Sequence, residues 1–291
     1  MKISLHLHPE RKKVKTILPG IIDYLNVNGH QVFICEKDRN LCRNYDVILL
    51  KGIEECVSIP VDLVISIGGD GTFIGAARLI AGTEIPIIGL HSGGLGFLAE
   101  VLLENFETKL NEFFKGHYSI EKRKILETEI VYPNHSKKYN SINDILIHRN
   151  QTIGMCKFIT YVDGDFLNTY RGDGLIISTP SGSTAYNMSA GGPIILPHLD
   201  IITLTPICPH SLSARPIIIG GDQVVSFQLE KNRNVLALDI DGQERVLLES
   251  AIKVNIKNSS HSLNVVRFDD YSFFKTLQTK LNWGVDKRNE N

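Results

Sequence analysis

The stretch 61-VDLVISIGGDGTFIGAARLI-80 contains an apolar run, a glycine-rich turn and a helix-like segment in direct succession. Residues 61–67 are mostly apolar, which is typical of a strand that is buried on both faces of a sheet. The run ends abruptly at Gly68-Gly69-Asp70-Gly71, and the pattern predicts a helix over 72–81. A strand that passes through a tight turn into a helix is typical of a parallel sheet covered by helices.

The same order of elements occurs on the N-terminal side of this stretch. A short alternating strand at 2–8 precedes apolar residues at helical spacing between Val14 and Leu25, and a second strand follows at 31–35. Pro19 lies inside the apolar stripe and predicts a kink or an early turn there. On the C-terminal side, a strand at 85–90 leads into a second glycine-rich turn and a helix near 106–114. Residues 1–119 are therefore expected to form an α/β domain.

The character of the sequence changes after residue 120. Short alternating strands dominate, and Asp163-Gly164 and Asp241-Gly242 lie between β-rich runs, where such pairs predict hairpins. Residues 120–267 are expected to form a β-rich, sandwich-like domain. Phe273, Phe274, Leu277 and Leu281 form a helical stripe, so 268–291 are expected to return to the first domain and complete it.

Composition excludes several classes of protein. The chain has 291 residues and a formal net charge of −1, whereas a dedicated nucleic-acid binder usually carries a basic excess. No run of 18 apolar residues predicts a membrane span, and Met1–Glu10 does not resemble a signal peptide. The five cysteines are widely spaced without a C-x-x-C pair, which is typical of reduced thiols in a cytoplasmic protein.

The first glycine turn has the composition of a phosphate-binding loop. Glycines let the main chain approach a ligand closely, and backbone N–H groups at a helix N-terminus attract anions. Asp70 is unsuited to contact phosphate, but it could accept a proton or anchor a phosphate-bound metal. The alternative is a plain tight turn with a solvated Asp70.

Two further motifs carry weaker signals. Gly94-x-Gly96-x-x-Ala99 matches a loose dinucleotide fingerprint, but a loop with a packing role is favoured. For His6-x-His8, a structural or exposed pair is favoured over a metal site.

A hydroxyl-rich segment follows in the β-rich half. Between Ser178 and Tyr186, six of nine residues carry a hydroxyl group. Such a segment could donate hydrogen bonds to sugars and phosphates, although an ordinary Ser/Thr loop has the same composition. Asn143-Asp144, just before an apolar run, could contact a ribose or a nicotinamide or could form a simple turn.

These motifs, in this order, resemble those of the NAD kinase family. The first motif is shared more widely, with diacylglycerol and sphingosine kinases, whereas the long segment at 172–186 is specific for NAD kinases. The matching segments are Gly68-Gly69-Asp70-Gly71-Thr72, Gly94-Leu95-Gly96-Phe97-Leu98, Asn143-Asp144, Gly172-Asp173-Gly174 with 178–186, Asp241-Gly242-Gln243 and the ending Leu281-Asn282-Trp283-Gly284.

The resemblance implies phosphorylation of the 2′-hydroxyl of the adenosine ribose of NAD, giving NADP. ATP or polyphosphate would be the donor, with a divalent cation such as Mg²⁺. Asp70 would be the catalytic proton acceptor, and Gly68, Gly69, Gly71 and Thr72 would cradle the donor phosphates. The residues implied in NAD binding are Asp70, Gly71, Asn143, Asp144, Arg171, Asp173, Thr184, Ala185, Tyr186, Asn187, Met188, Ser189 and Gln243.

The chain departs from the family pattern at a few positions. Ser181 replaces a usual Thr, Asp144 stands where many members have Glu, and His91 stands where Asn is common. Gly154 lies where some members have a basic or imidazole contact.

The alternative functions are those of a lipid kinase that shares the first turn, or of a dinucleotide-binding regulator without catalysis. A homodimer or homotetramer is expected, because many short strands need cover and the family often completes a site with Asp173 of a neighbouring subunit.

Overall fold

The structure is a computed structural model that describes residues 1–8, 12–52, 55–59, 61–94, 96–150, 155–229, 236–249 and 251–283. The chain divides into two compact units. The first unit consists of Met1–Lys122 and the residues from Leu263 onward, and the second unit consists of Arg123–Ser262. The predicted Leu95, Gly154 and Gly284 lie outside the described residues.

The first unit is built around a parallel sheet. Its strands are β1 (Lys2–Leu7), β2 (Gln31–Cys35), β3 (Ile48–Leu50), β4 (Leu63–Gly68), β5 (Ile87–His91) and β6 (Val101–Leu102). Its helices up to residue 122 are α1 (Lys12–Val27), α2 (Glu55–Ser58), α3 (Asp70–Ile80) and α4 (Phe106–Phe114). The strand order β5-β4-β1-β2-β3 is parallel throughout, and β6 pairs with β5. All six residues of β4 are buried, which confirms the sequence-based expectation of a covered parallel sheet.

Helix α1 runs without interruption through Pro19. The expected early turn is therefore wrong. A proline inside a helix costs about 3 kcal/mol because it removes one backbone hydrogen bond and crowds the preceding turn. The helix buries Val14, Leu18, Ile21, Ile22 and Leu25. Each such side chain contributes about 1.5–3 kcal/mol when buried, so packing on the sheet outweighs the proline.

The second unit is an antiparallel β-sandwich, as the sequence predicts. Its strands are β7 (Ser119–Val131), β8 (Ser136–Ser141), β9 (Asp144–Arg149), β10 (Cys156–Val162), β11 (Asp165–Gly172), β12 (Gly174–Ser178), β13 (Ile201–Ile207), β14 (Ile217–Gly220), β15 (Val225–Gln228), β16 (Leu236–Ile240), β17 (Glu244–Leu247) and β18 (Lys253–Arg267), with a short helix α5 (Tyr186–Ser189). One sheet has the order β14-β13-β12-β9-β16-β17, and the other contains β11-β10-β15-β18 with β7 and β8. Side chains from both sheets form one buried cluster.

Both predicted Asp-Gly hairpins are present. Asp163 and Gly164 connect β10 to β11, and Asp241 and Gly242 begin the turn from β16 to β17. All four residues have positive φ, between 51° and 89°. Asp and Asn tolerate this conformation better than other residues with a Cβ, and Gly adopts it freely, which explains the residue types.

The end of the chain completes the first unit. Val265 of β18 pairs in parallel with Ile87 of β5, and the helix α6 (Phe273–Leu281) follows. The buried guanidinium of Arg267 binds the carboxylates of Glu100 and Glu121, at 2.6 Å each. This confirms the predicted returning helix. Among the described residues, no helix is both long and apolar enough to cross a bilayer.

Candidate functional site

The Gly68–Thr72 turn joins the carboxyl end of β4 to the N-terminus of α3. Gly69 is the N-cap residue, and it supplies no side chain to cap the helix. A Cβ at Gly68 would lie 2.8 Å from the Cβ of Thr72 and 3.1 Å from that of His8, so a larger residue does not fit. Gly71 is exposed. The sequence thus places a helix N-terminus, which attracts anions, behind a turn without bulky side chains.

The Asp70 carboxylate binds the second glycine-rich loop. Its Oδ2 accepts a hydrogen bond from the N–H of Phe97 at 3.0 Å, and its Oδ1 accepts from Leu98 at 3.2 Å and Ala99 at 3.0 Å. A carboxylate has about four acceptor positions, so these three bonds leave about one for a ligand. The same closeness explains Gly96, because a side chain at that position would collide with Asp70.

Two histidines flank Gly68 at the carboxyl edge of the sheet. The N–H of His8 donates to the carbonyl of Ile67 at 3.0 Å, and Gly68 is in register with His91 of β5. The Nδ1 of His91 accepts from the N–H of Gly93 at 2.9 Å, which places the proton of a neutral ring on Nε2. The Nδ1 of His8 is buried and has no hydrogen-bond partner among the described residues. Burial, and then the charge of Lys37, lowers the pKa of His6 to about 4.

The second unit contains a separate cavity of about 330 Å³. It is lined by Asn143, Asp144, Leu146, Ala185, Tyr186, Asp239, Asp241 and Gly242. Four of the residues that the sequence assigns to NAD, namely Asn143, Asp144, Ala185 and Tyr186, therefore face one pocket. The ring of Tyr186 is half exposed and offers a flat apolar surface to a ligand.

Burial dominates the protonation of Asp144. Its removal from water and, second, the negative charge of Asp241 raise the pKa of Asp144 from 3.8 to about 7. Asp239 lines the same cavity, but its carboxylate is paired with Arg245 at 2.7 Å and with His148 at 3.1 Å. Although burial opposes ionisation, these partners lower the pKa of Asp239. The cavity thus contains a carboxyl group that changes its protonation near neutral pH, beside one that stays ionised.

The Asp144→Asn variant is expected to gain stability over the wild type as pH rises. Between pH 3.8 and about 7, folded wild-type chains keep a proton on Asp144 that unfolded chains release. The wild type therefore loses stability across this window, and an amide does not. Melting temperatures of both proteins should diverge in favour of the variant up to about pH 7 and then run parallel. A difference that is independent of pH would contradict this assignment.

The hydroxyl-rich segment is turned largely inward. Ser178, Thr179, Ser181 and Ser183 are buried, and all four hydroxyl groups bond within the second unit. Thr184 is partly exposed, but its hydroxyl donates to the carbonyl of Ser181 at 3.3 Å. The segment therefore builds the wall of the cavity more than it offers hydroxyls to a ligand.

The remaining sequence-predicted residues do not line this cavity. Asn187 is fully buried. Its Nδ2 donates hydrogen bonds to the carbonyls of Ser183 and Pro193, and its Oδ1 accepts one from the hydroxyl of Thr205. Asp173 forms an ion pair with Arg149 at 3.2 Å. Met188 is partly exposed, and Arg171, Ser189 and Gln243 are exposed.

Sequence reasoning assigned no part in the site to Asp239, and gave Asp241 only a place in a hairpin and in a matching segment, although both line the cavity. The available signal was two acidic residues close together in the sequence, Asp239 near the end of β16 and Asp241 in the turn that follows it. Pairing of Asp239 with His148 and Arg245 depends on sheet register, which the sequence does not specify.

Comparisons with known proteins show the family of this chain. The family model of the ATP-NAD kinase N-terminal domain matches residues 10–118, and that of the ATP-NAD kinase C-terminal domain matches 142–268. An NAD kinase of Escherichia coli O7:K1 is 42% identical over 278 residues, which cover 95% of this chain and 94% of that protein. The chain belongs to the NAD kinase family. An NAD kinase of Bacteroides fragilis is 34% identical over 290 residues, 99% of this chain and 100% of that protein.

Solved structures of NAD kinases share the fold. The yeast NADH kinase complexed with NADH has a TM-score of 0.90 at 24% identity and covers 100% of this chain and 90% of its own. An NAD kinase from Archaeoglobus fulgidus in complex with ATP has a TM-score of 0.76 at 24% identity, covering 97% of this chain and 99% of its own. The chain is thus a phosphotransferase of the NAD kinase type, and the alternative of a lipid kinase is not supported.

Proposed function

We propose that this NAD kinase transfers the terminal phosphoryl group of ATP to the 2′-hydroxyl of the adenosine ribose of NAD, giving NADP. The observation that carries the proposal is the cavity of the second unit, where Asn143, Asp144, Ala185 and Tyr186 converge. The Oδ1 of Asn143 is buried there without a hydrogen-bond partner among the described residues. A buried polar atom of this kind is costly unless a ligand satisfies it.

Within this proposal, each binding residue has a distinct part. Asn143 and Asp144 bind hydroxyl groups of the dinucleotide, and the segment from Thr184 to Ser189 surrounds the adenosine, with Asn187 supporting it from within. Gln243 approaches the reacting ribose, Asp173 contacts the nicotinamide end, and Arg171 offers charge to phosphate.

Asp70 accepts the proton of the 2′-hydroxyl in this mechanism. A ribose hydroxyl is a poor nucleophile at neutral pH, so a carboxylate within hydrogen-bond reach speeds its attack on the phosphoryl group. The three hydrogen bonds from backbone N–H groups fix the position of the Asp70 carboxylate and leave about one acceptor position for that proton. Phosphoryl transfer otherwise depends on positioning and charge neutralisation, which the helix N-terminus at Gly68–Thr72 assists.

The donor is expected to arrive with a divalent cation. Among the described residues, no three His, Cys, Asp or Glu side chains form a group that could hold a metal ion. Mg²⁺ commonly binds through substrate phosphates and only one or two carboxylates, so the residues present fit a cation held chiefly by ATP; Asp70 would be its carboxylate ligand only in place of its role as proton acceptor. The cation would neutralise charge on the transferred group.

We place the reaction in the cytoplasm, consistent with the free thiols of Cys35, Cys42, Cys156 and Cys208.

Incubation of the purified protein with NAD, ATP and Mg²⁺ tests the proposal directly. Mass spectrometry should detect a dinucleotide heavier by one phosphate group, and resistance to a 3′-specific phosphatase should place that group at the 2′ position. Polyphosphate in place of ATP identifies the donor. Absence of a phosphorylated dinucleotide with every donor would refute the proposed reaction.

We further propose that the active unit is a homodimer or homotetramer in which Asp173 serves the site of a neighbouring subunit. Mixing inactive Asp70→Asn chains with inactive Asp173→Asn chains should then restore part of the activity, because mixed dimers contain one site without either lesion. Dilution should lower the specific activity as subunits separate. A fully active monomer of 32.5 kDa in light scattering would contradict this assembly.

A further inference from the structure

We propose that Asp241 is a positioning residue for NAD. Its carboxylate holds the backbone of residues 142–144 so that Asn143 and Asp144 present their side chains to the dinucleotide. The inference rests on the proposed function, because it concerns the same cavity, and it adds a residue to which neither the motifs nor the family resemblance assigned a role in NAD binding.

The carboxylate of Asp241 accepts hydrogen bonds from three consecutive backbone N–H groups. Its Oδ1 accepts from the N–H of Asn143 at 2.7 Å and of Asp144 at 3.1 Å, and its Oδ2 accepts from Ile142 at 3.0 Å. The N–H of Asp241 donates in return to the carbonyl of Asp144 at 2.9 Å. Hydrogen bonds to an ionised acceptor are about twice as strong as neutral ones, so this set fixes the loop firmly.

The carbonyl groups of the same loop are bound by the hydroxyl-rich segment. The hydroxyl of Thr179 donates to the carbonyl of Ile142 at 2.7 Å, and the N–H of Thr179 donates to that of Asn143 at 2.9 Å. The hydroxyl of Ser178 adds a longer bond to the Asn143 carbonyl at 3.3 Å. The amides of residues 142–144 and the carbonyls of all three residues are thus occupied within the second unit.

The side chains of Asn143 and Asp144, in contrast, face the cavity. Asn143 is 8% exposed, yet its Oδ1 has no hydrogen-bond partner among the residues that the structure describes. Asp144 lines the cavity and is 6% exposed. A backbone with its polar groups satisfied, and side chains directed to a cavity, is the arrangement expected of a preorganised binding loop.

The position of Asp241 also has an electrostatic cost that a merely structural turn would avoid. After burial, its negative charge is the second cause that raises the pKa of Asp144. An asparagine at this position would suit the turn equally well, because Asn tolerates the φ of 52° found there. The negative charge is therefore explained by the three amides that it binds.

The Asp241→Asn variant tests this role, with Asp163→Asn as its matched control. Asp163 begins the other Asp-Gly hairpin at a φ of 51°, and its carboxylate also accepts a backbone N–H, that of Val224 at 2.9 Å. It does not line the NAD cavity. Asp241→Asn retains the turn but presents an NH₂ group to at least one amide. We expect it to raise the KM for NAD on the order of 10-fold, with kcat and the KM for ATP changed less than about threefold.

The comparison of the two variants decides the outcome. Similar losses of melting temperature, with the KM for NAD raised only in Asp241→Asn, would support a positioning role. A KM for NAD in Asp241→Asn within about twofold of that in Asp163→Asn would overturn it, as would a fall in kcat without a change in KM. A wild-type protein that fails to phosphorylate NAD would instead refute the proposed function, which is a separate result.

A second variant keeps the proposal testable if Asp241→Asn does not fold. Thr179→Val removes the hydroxyl donor to the Ile142 carbonyl while keeping nearly the same side-chain volume. If the clamped backbone serves NAD binding, this variant should also raise the KM for NAD and spare that for ATP. An unchanged KM for NAD in Thr179→Val would count against the proposal.

Discussion

Replacing Asp70 by asparagine is expected to lower turnover by ~10²–10⁴-fold while NAD binding stays nearly unchanged. An amide cannot accept the proton of the ribose hydroxyl, so the attacking group loses its base. The variant leaves the cavity residues Asn143, Asp144, Ala185 and Tyr186 unchanged, which is why the dissociation constant for NAD should change little. Steady-state kinetics with ATP, together with calorimetric titration of NAD, measure both quantities.

A control is needed because Asp70 also stabilises a loop. The amide side chain of the Asp70→Asn variant would place an NH₂ group against one of the N–H donors of Phe97, Leu98 and Ala99. Because one hydrogen bond is lost, the melting temperature of the variant should fall. Asp62→Asn is a suitable match, since Asp62 accepts the N–H of Lys2 at 2.7 Å at the opposite end of the sheet. It should remain active. Turnover of Asp70→Asn within a few-fold of the wild type would remove Asp70 from the mechanism, and a change confined to metal dependence would make it a metal anchor.

2′-Deoxy-NAD is expected to yield no phosphorylated product, whereas 3′-deoxy-NAD should be phosphorylated. The first analogue lacks the proposed acceptor, and the second retains it while losing one hydrogen bond to the site. The 3′-deoxy analogue should react more slowly than NAD, because a site that binds a substrate hydroxyl discriminates against an analogue without it when a buried polar group loses its partner. The buried Oδ1 of Asn143 is a group of this kind.

Product analysis by mass spectrometry distinguishes the outcomes for the two analogues. Nicotinamide mononucleotide serves as a further control and should not react, because it lacks the adenosine. Phosphorylation of 2′-deoxy-NAD would show that another hydroxyl is the acceptor. Phosphorylation of diacylglycerol or a sphingoid base at a comparable rate would show that the site does not select the dinucleotide.

The fold could be predicted from the sequence where the pattern is local. The apolar run of β4, its glycine turn and the spacing of Val14 to Leu25 each express a periodicity within roughly 10 to 20 residues, the length of an element. The two Asp-Gly pairs specify their hairpins through residue type alone. The early turn predicted at Pro19 was wrong because the free-energy cost of one proline is local, whereas the packing that outweighs it involves the whole buried face of α1.

The site was predictable only in part, because its decisive contacts join distant segments. Asp70 binds amides 27 to 29 residues away, and Asp241 binds amides 97 to 99 residues away. Neither pairing leaves a periodic signal. Composition likewise could not tell that the hydroxyls of Ser178 to Ser183 point inward, since serine and threonine bond equally well to a ligand or to a neighbouring carbonyl.

The returning segment with Arg267 has a consequence for biosynthesis. Glu100 and Glu121 are translated well before Arg267, whose guanidinium binds both, and Ile87 is translated before its strand partner Val265. Until the last segment leaves the ribosome, the first unit has an unpaired strand edge and two carboxylates without their cation. The second unit, contained in Arg123–Ser262, needs no later residues. A chain truncated after Ser262 would therefore keep the residues of the second unit but lack the strand partner of Ile87 and the cation of Glu100 and Glu121, and we expect it to aggregate through the first unit.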